Sequence, residues 1–242
     1  YYRGHTLLLA LDLCKIEDLF AQLYADGNHD PFSVGRQMNN HHATPFIDAQ
    51  GQFLQHKDHY NLSSDISTTA GQMARGVGLA FASKKYRESD ELQNSPLSNQ
   101  GSEVCFCNIG DASTSEGAFW ETINAIGVMQ VPLAITIMDD GYGISVPKSI
   151  QTTKESVSEV LQGFQQSDQS NGIDIYQVKG WDYIDLVETY QRSIEKTRKT
   201  HIGALIHVDE LTQPQGHSTS GSHERYKSKK RLSWEAEFDC NQ

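Results

Sequence analysis

Residues 104–145 read VCFCNIGDASTSEGAFWETINAIGVMQVPLAITIMDDGYGIS, and this stretch decides the fold. The apolar runs 104–109 and 133–138 predict two buried strands, and the segment 115–129 between them predicts a helix. Such a helical crossover returns the chain to a strand parallel to the first. Both strands therefore end at the same edge of one sheet, which is where open α/β sheets bind ligands.

The pattern continues toward the C-terminus with a predicted strand at 173–178, a helix at 183–199 and a strand at 204–208. Alternating strands and helices predict an α/β fold with a mostly parallel sheet and helices on both faces.

The N-terminal part of the chain has a different organisation. Apolar spacing predicts helices over 6–24 and 69–86, whereas 29–64 is rich in Gly, Asn, His, Asp and Pro and predicts a long irregular segment. With 242 residues, of which 37% are hydrophobic, we expect a single domain spanning residues 1–242. Because the sequence starts without Met and ends without a helix cap, we also expect it to be part of a longer chain.

Charge and cysteine content restrict the class of protein. There are 31 acidic and 20 basic residues, a net charge of -11, which argues against nucleic-acid binding. The basic run at 227–231 is typical of a solvated helical face. No apolar run is long enough for a membrane helix, and four irregularly spaced cysteines suit a reducing compartment, so we expect a cytoplasmic protein. Cys105 and Cys107, on one predicted strand, favour core packing over a metal-ligand pair.

Two acidic residues follow the first pair of predicted strands. Asp111 follows 104–109 by two residues, and Asp140 follows 133–138 by two residues as well. Carboxylate oxygens, a loop carbonyl and phosphate oxygens are the ligands that magnesium prefers, and the start of the following helix offers N–H groups to a phosphate. Asp and Gly are also common in ordinary turns, so the spacing alone leaves both interpretations open.

The segment 110–117, GDASTSEG, followed by 139–145, DDGYGIS, resembles the thiamine diphosphate motif of the alpha subunits of 2-oxo acid dehydrogenases. The resemblance implies a thiamine-diphosphate-binding fold. It also implies that Asp111, Asp140 and the carbonyl of Tyr142 bind Mg²⁺.

The resemblance extends over nearly the whole chain. Gly35-Arg36-Gln37-Met38 is similar to a segment of the branched-chain members, and residues 216–220 are similar to a mobile loop whose His lies close to the reacting centre. This implies a catalytic role for His217. The cofactor-binding residues that it implies are Tyr2, Arg3, Ser67, Thr69, Gly110, Asp111, Ala112, Ser113, Asp140, Tyr142, Ile144 and His217.

The function implied is oxidative decarboxylation of a 2-oxo acid, with a branched-chain substrate favoured and acyl transfer to a lipoyl group. The implied partners are a beta subunit or a fused beta portion, in an alpha2beta2 assembly, and a lipoyl-bearing acyltransferase. The activating Glu belongs to the beta portion in that family, and no matching segment is present here. A pyruvate or acetoin dehydrogenase and a non-catalytic assembly subunit are the alternatives.

Four departures from the family pattern bear on the site, one of them Thr69, which stands where many members have a bulky apolar residue under the cofactor. Ala112 replaces a Gly, which predicts a negative φ there. Asp139-Asp140 replaces Asn-Asn and adds negative charge beside the diphosphate. Met138 and Gln213 stand where some members carry Arg, so we expect little cationic support for the diphosphate beyond Arg3 and His217.

Overall fold

A computed structural model of the chain describes residues 5–36, 41–64, 66–217 and 221–240. The chain divides into two compact units. The first contains Tyr1–Thr68 and Tyr86–Gly101, and the second contains Thr69–Lys85 and Ser102–Gln242. The expectation of a single domain over residues 1–242 stays a prediction.

The first unit begins with two short helices. These are α1 (His5–Ala10) and α2 (Ile16–Leu23). The prediction of one continuous helix over 6–24 was wrong, because Asp12 adopts a φ of +55° and ends the first helix. The backbone N–H of Lys15 then donates to the Asp18 carboxylate at 2.8 Å and starts the second. Among the described residues of 29–64, a single isolated bridge joins Ile47 to Phe53, so this segment is irregular as predicted.

The second unit is built on a parallel sheet. In chain order, the described strands of this unit are β1 (Cys105–Gly110), β2 (Leu133–Met138), β3 (Tyr142–Gly143), β4 (Val146–Pro147), β5 (Asp174–Lys179) and β6 (Ala204–Asp209). β1, β2, β6 and β5 lie side by side in that order, and all are parallel. The four long strands agree with the predicted ones to within one residue at each end. The antiparallel β3–β4 hairpin was not predicted.

Helices cover both faces of this sheet, as predicted. In chain order, the helices described after α2 are α3 (Gly71–Glu88), α4 (Gly117–Met129), α5 (Lys148–Gln151), α6 (Val157–Val160), α7 (Tyr183–Thr200), α8 (His223–Tyr226) and α9 (Lys229–Glu237). On one face, Phe119 and Ile123 of α4 are 0% exposed and pack in one cluster with Ile135. Burying side chains of this size stabilises the fold by about 1.5–3 kcal/mol each. On the opposite face, Leu186 and Tyr190 of α7 pack against the strands.

Close approach between α3 and β1 depends on a glycine. A Cβ at Gly76 would lie 2.7 Å from the Cys107 Sγ and 3.1 Å from a Leu133 methyl carbon. Cys107 is buried in the core, as expected for this strand residue. Within the described residues, no helix is both long and apolar enough to cross a membrane.

Candidate functional site

The two predicted acidic residues lie at the same edge of the sheet. Gly110 pairs with Met138 in the parallel register, so the residues that follow leave adjacent strands together. The Asp111 N–H donates to the Met138 carbonyl at 3.2 Å. Asp111 is 2% exposed and Asp140 is 6% exposed. Two buried carboxylates therefore occupy the carboxyl edge of the sheet, where the sequence predicted them.

The loop after β1 forms a short 3-10 turn, Ala112–Ser115, and α4 begins at Gly117, two residues later than predicted. Thr114 Oγ1 donates to the Asp111 carbonyl at 2.6 Å and closes this turn. The backbone φ of Ala112 is negative, which confirms the prediction. A Cβ at Gly143 would lie 2.7 Å from the Ala112 Cβ, so the loops after β1 and β2 touch and only glycine fits there.

A cavity of about 250 Å³ lies beside the 3-10 turn that follows β1. Thr114 and Ser115 line one side of it, and Trp120 and Gln151 line others. Its walls combine hydroxyl groups with an aromatic ring.

The loop after β2 is a tight turn over residues 139–142. The Tyr142 N–H donates to Asp140 Oδ1 at 3.3 Å, and Gly141 has a φ of +81°. Tyr142 then enters the hairpin, whose turn residue Ile144 has a φ of +59° and is 62% exposed. A β-branched residue in the left-handed region is strained, and such strain is often found at functional sites.

Asp139 is held differently from Asp140, although the two are adjacent. Its carboxylate is 1% exposed and lies 3.0 Å from His207 Nε2, and Lys148 Nζ donates to it at 2.9 Å. Burial alone would raise the pKa of Asp139, but the hydrogen bond with His207 and the Lys148 ammonium more than offset it and lower that pKa. Asp139 is therefore a compensated internal carboxylate.

The same cluster contains the residue types of a hydrolase triad and of a metal site. Ser158 Oγ lies 2.8 Å from His207 Nδ1, on the far side of the ring from Asp139. Ser158 is 2% and His207 0% exposed, so an acyl substrate has no access to this Ser. Asp139, His207 and Asp209 have ligand atoms within 4.8 Å of one another, but Lys148 Nζ also donates to Asp209 Oδ1 at 3.1 Å. The protein's own ammonium thus supplies the cation between these carboxylates.

The C-terminal basic run contributes to the site, which the sequence did not reveal. Lys229 and Lys230 are exposed, as expected of a solvated face, but Lys227 is only 6% exposed. Both Glu235 oxygens accept from Lys227 Nζ at 2.8 Å, and Arg231 Nη2 donates to the Asp140 carbonyl at 2.8 Å. The interpretation of the whole run as a solvated face was therefore wrong, because Glu235 draws two of these cations inward.

These cations also surround Tyr142. The Lys227 Nζ lies 5.5 Å and the Arg231 guanidinium carbon 5.8 Å from the centre of its ring. The Tyr226 ring centre is 5.6 Å away. Lys227 also donates to the carbonyl of Gln213 at 2.8 Å. Two cationic groups of the C-terminal segment thus lie beside the Tyr142 ring, and the expectation of little cationic support for the diphosphate stays a prediction.

Five other residues were predicted to bind the cofactor: Tyr2, Arg3, Ser67, Thr69 and His217. Tyr2 and Arg3 lie outside the described residues. Ser67, in the first unit, is exposed, and its Oγ lies 3.2 Å from His41 Nε2. Thr69, in the second unit, is exposed. His217 is exposed and follows a turn in which the Gly216 N–H donates to the Gln213 carbonyl at 2.8 Å.

The chain is similar to proteins of one class along nearly its whole length. Residues 1–241 match the family described as Dehydrogenase E1 component. The chain is 26% identical over 210 residues to 2-oxoisovalerate dehydrogenase subunit alpha 2, mitochondrial, of Arabidopsis thaliana, covering 86% of this chain and 37% of that protein. It is 26% identical over 206 residues to 2-oxoisovalerate dehydrogenase subunit alpha of Bacillus subtilis (strain 168), covering 85% and 52%.

A third relative carries a different name. Pyruvate dehydrogenase E1 component subunit alpha of Staphylococcus epidermidis (strain ATCC 35984 / DSM 28319 / BCRC 17069 / CCUG 31568 / BM 3577 / RP62A) is 28% identical over 168 residues, covering 67% of this chain and 39% of that protein. The chain spans 37% to 52% of the length of these three relatives.

Proposed function

Because this chain belongs to the dehydrogenase E1 component family, we propose that it is the thiamine-diphosphate- and magnesium-binding alpha part of a 2-oxo acid dehydrogenase. The observation that carries the proposal is the pair of buried carboxylates, Asp111 and Asp140, at the carboxyl ends of adjacent parallel strands. Hard oxygen ligands at this edge of the sheet suit Mg²⁺ bound to a diphosphate.

The described residues fit this metal and cofactor. Asp111 and Asp140 supply carboxylate oxygens, and the carbonyl of Tyr142 supplies a neutral third ligand. Gly143 lets the two loops that carry these ligands lie in contact, because a Cβ at this position would be 2.7 Å from the Ala112 Cβ. The proposed cofactor-binding set also contains Gly110, Ser113, Ile144, Tyr2, Arg3, Ser67, Thr69 and His217.

In this proposal, thiamine diphosphate held by these residues would supply the nucleophile and the electron sink that decarboxylation of a 2-oxo acid requires. The protein's part is positional. The carboxylates fix the metal, and Arg231 holds the Asp140 carbonyl in place. His217, on the loop that follows β6, is the proposed catalytic residue of this chain.

Titration calorimetry with thiamine diphosphate and Mg²⁺, on the full-length protein with its partner, tests the proposal. We expect Asp111→Ala to weaken Mg²⁺-dependent cofactor binding by at least about a hundredfold, since a charged ligand is removed. The matched control is Asp168→Ala, which removes an exposed carboxylate before β5 and should leave binding unchanged. Equal affinities for the parent and Asp111→Ala would contradict the metal assignment.

A branched-chain 2-oxo acid is the favoured substrate. The relatives with 2-oxoisovalerate names match 85% and 86% of this chain, whereas the pyruvate dehydrogenase relative matches 67%. Pyruvate is the second candidate, since the two groups differ little in identity. Carbon dioxide release from 3-methyl-2-oxobutanoate and from pyruvate, measured in parallel, distinguishes them. A preference for pyruvate would overturn the substrate assignment alone.

The proposed partners are a beta subunit or fused beta portion, in an alpha2beta2 assembly, and a lipoyl-bearing acyltransferase. The support is that the relatives are named as alpha subunits. If the protein and its partner form a complex that binds neither cofactor nor metal, a non-catalytic assembly subunit is the better description.

A further inference from the structure

Lys148 holds the metal-binding turn over residues 139–142 at two points. Its backbone N–H donates to the Gly141 carbonyl at 2.9 Å, and its Nζ donates to Asp139 Oδ2 at 2.9 Å. Asp139 Oδ1 in turn accepts from the Gly141 N–H at 2.8 Å. The turn that presents Asp140 and Tyr142 is thus closed on both sides by one lysine.

The same ammonium joins this turn to the neighbouring strand. Lys148 Nζ donates to Asp209 Oδ1, at the end of β6, at 3.1 Å. Two backbone hydrogen bonds join the same segments. The Asp139 N–H donates to the Val208 carbonyl at 2.9 Å, and the Leu211 N–H donates to the Asp139 carbonyl at 3.0 Å. The carboxyl ends of β2 and β6 are therefore locked together beside the candidate metal site.

Charge is the second consequence of this arrangement. The Asp139 side chain is 1% and the Asp209 side chain 15% exposed, so water compensates little of their negative charge. Asp139 is adjacent in sequence to Asp140, and an uncompensated carboxylate there would repel a diphosphate while attracting a metal ion. Among the residues that the structure describes, Lys148 is the one whose ammonium group contacts both Asp139 and Asp209.

We propose that Lys148 is a positioning residue of the cofactor site, which offsets the charge of Asp139 so that Asp140 binds the metal while its neighbouring carboxylate does not repel the diphosphate. This inference rests on the proposed function. It accounts for how the chain accommodates Asp-Asp in this turn: only Asp140 acts toward the metal, and Asp139 is neutralised internally.

Two titrations on the full-length protein with its partner test the inference: Mn²⁺ alone, and thiamine diphosphate at saturating Mg²⁺. In Lys148→Met, the two affinities should move in opposite directions, the metal tighter and the cofactor weaker. Each shift should be roughly three- to tenfold, as expected for one unit charge near a partly buried site. Lys148→Arg should keep both affinities close to those of the parent.

Two further variants separate charge from folding. Lys148→Met combined with Asp139→Asn removes both charges, and this double variant should recover the cofactor affinity of the parent even if the single variant fails to fold. Lys199→Met is the matched control, because it removes a cation from an exposed ion pair at the far end of α7.

The outcomes are distinct. Unchanged affinities in Lys148→Met, or a parallel loss of both, would overturn the inference and leave the proposed function standing. A folded double variant without cofactor binding would also overturn it. If the parent itself binds neither Mn²⁺ nor thiamine diphosphate, the proposed function fails and the role of Lys148 fails with it.

Discussion

At the scale of single residues, Ile144 is the clearest case of local strain beside the site. Its φ of +59° lies in a region that costs a β-branched residue about 1–2 kcal/mol, and its side chain is 62% exposed. Little packing offsets this cost within the chain. We interpret the side chain as retained for a ligand contact, in line with its proposed place in the cofactor site.

Replacing Ile144 with Gly should therefore raise the free energy of unfolding by about 1 kcal/mol, because glycine adopts positive φ freely, and should weaken thiamine diphosphate binding. Urea unfolding and calorimetry measure the two effects. Ile150→Gly is the control: Ile150 is also exposed but lies in α5, so this change should destabilise by about 0.5–1 kcal/mol. A destabilised Ile144→Gly variant with unchanged cofactor affinity would rule out this interpretation.

At the scale of elements, the contact between α3 and β1 depends on Gly76 of the helix and not on Gly78. A Cβ at Gly76 would overlap the Cys107 Sγ, whereas a Cβ at Gly78 would meet nothing within 4 Å. Gly76→Ala should lower the free energy of unfolding by about 1–3 kcal/mol through overpacking. Gly78→Ala should raise it by about 0.5–1 kcal/mol, because alanine is the better helix former. Denaturant unfolding of both variants checks the prediction, and equal effects would show that the helix does not pack as described.

Helix α9 is attached to the site by a buried acid. Glu235 is 0% exposed, and it pairs with Lys227 at 2.8 Å and with Arg231 at 2.9 Å. Glu235→Ala should lower the free energy of unfolding by about 3–5 kcal/mol, since it leaves buried cationic groups without their partner. It should also weaken cofactor binding, because Arg231 would lose the partner that directs it to the Asp140 carbonyl.

Glu237→Ala, on an exposed position of the same helix, is the matched control and should change stability by less than about 0.5 kcal/mol. Thermal unfolding and cofactor titration of both variants make the comparison. Similar stabilities for the two variants would mean that α9 is not held by this ion pair.

At the scale of the whole molecule, we predict that this chain alone releases no carbon dioxide from 2-oxo acids, even with thiamine diphosphate and Mg²⁺. In the proposed function, the matched motifs would supply metal and diphosphate ligands but no acid to activate the aminopyrimidine ring. Glu116 is the nearest conceivable substitute, yet it directly precedes α4, whose start is proposed to face the diphosphate rather than the ring. Carbon dioxide release measured before and after adding the beta portion tests this. Turnover by the isolated chain would disprove it.

Much of the second unit was predictable because its signals are local. Apolar runs of strand length and helical crossovers predicted the parallel strands to within one residue, and the register then required Asp111 and Asp140 to share one edge. The negative φ of Ala112 followed from its Cβ alone. These features depend on periodicity and backbone sterics, which a single sequence contains.

What only the tertiary structure decided is which charges face one another. Asp139, Lys148, Ser158 and His207 come from separate elements, and no spacing in the sequence indicates that they meet. The inward turn of Lys227 and Arg231 likewise depends on Glu235. The break in the predicted helix over 6–24 depends on a left-handed Asp12. Pairing between distant side chains is set by how the elements pack, because burial makes a compensating partner necessary only once the fold has removed water.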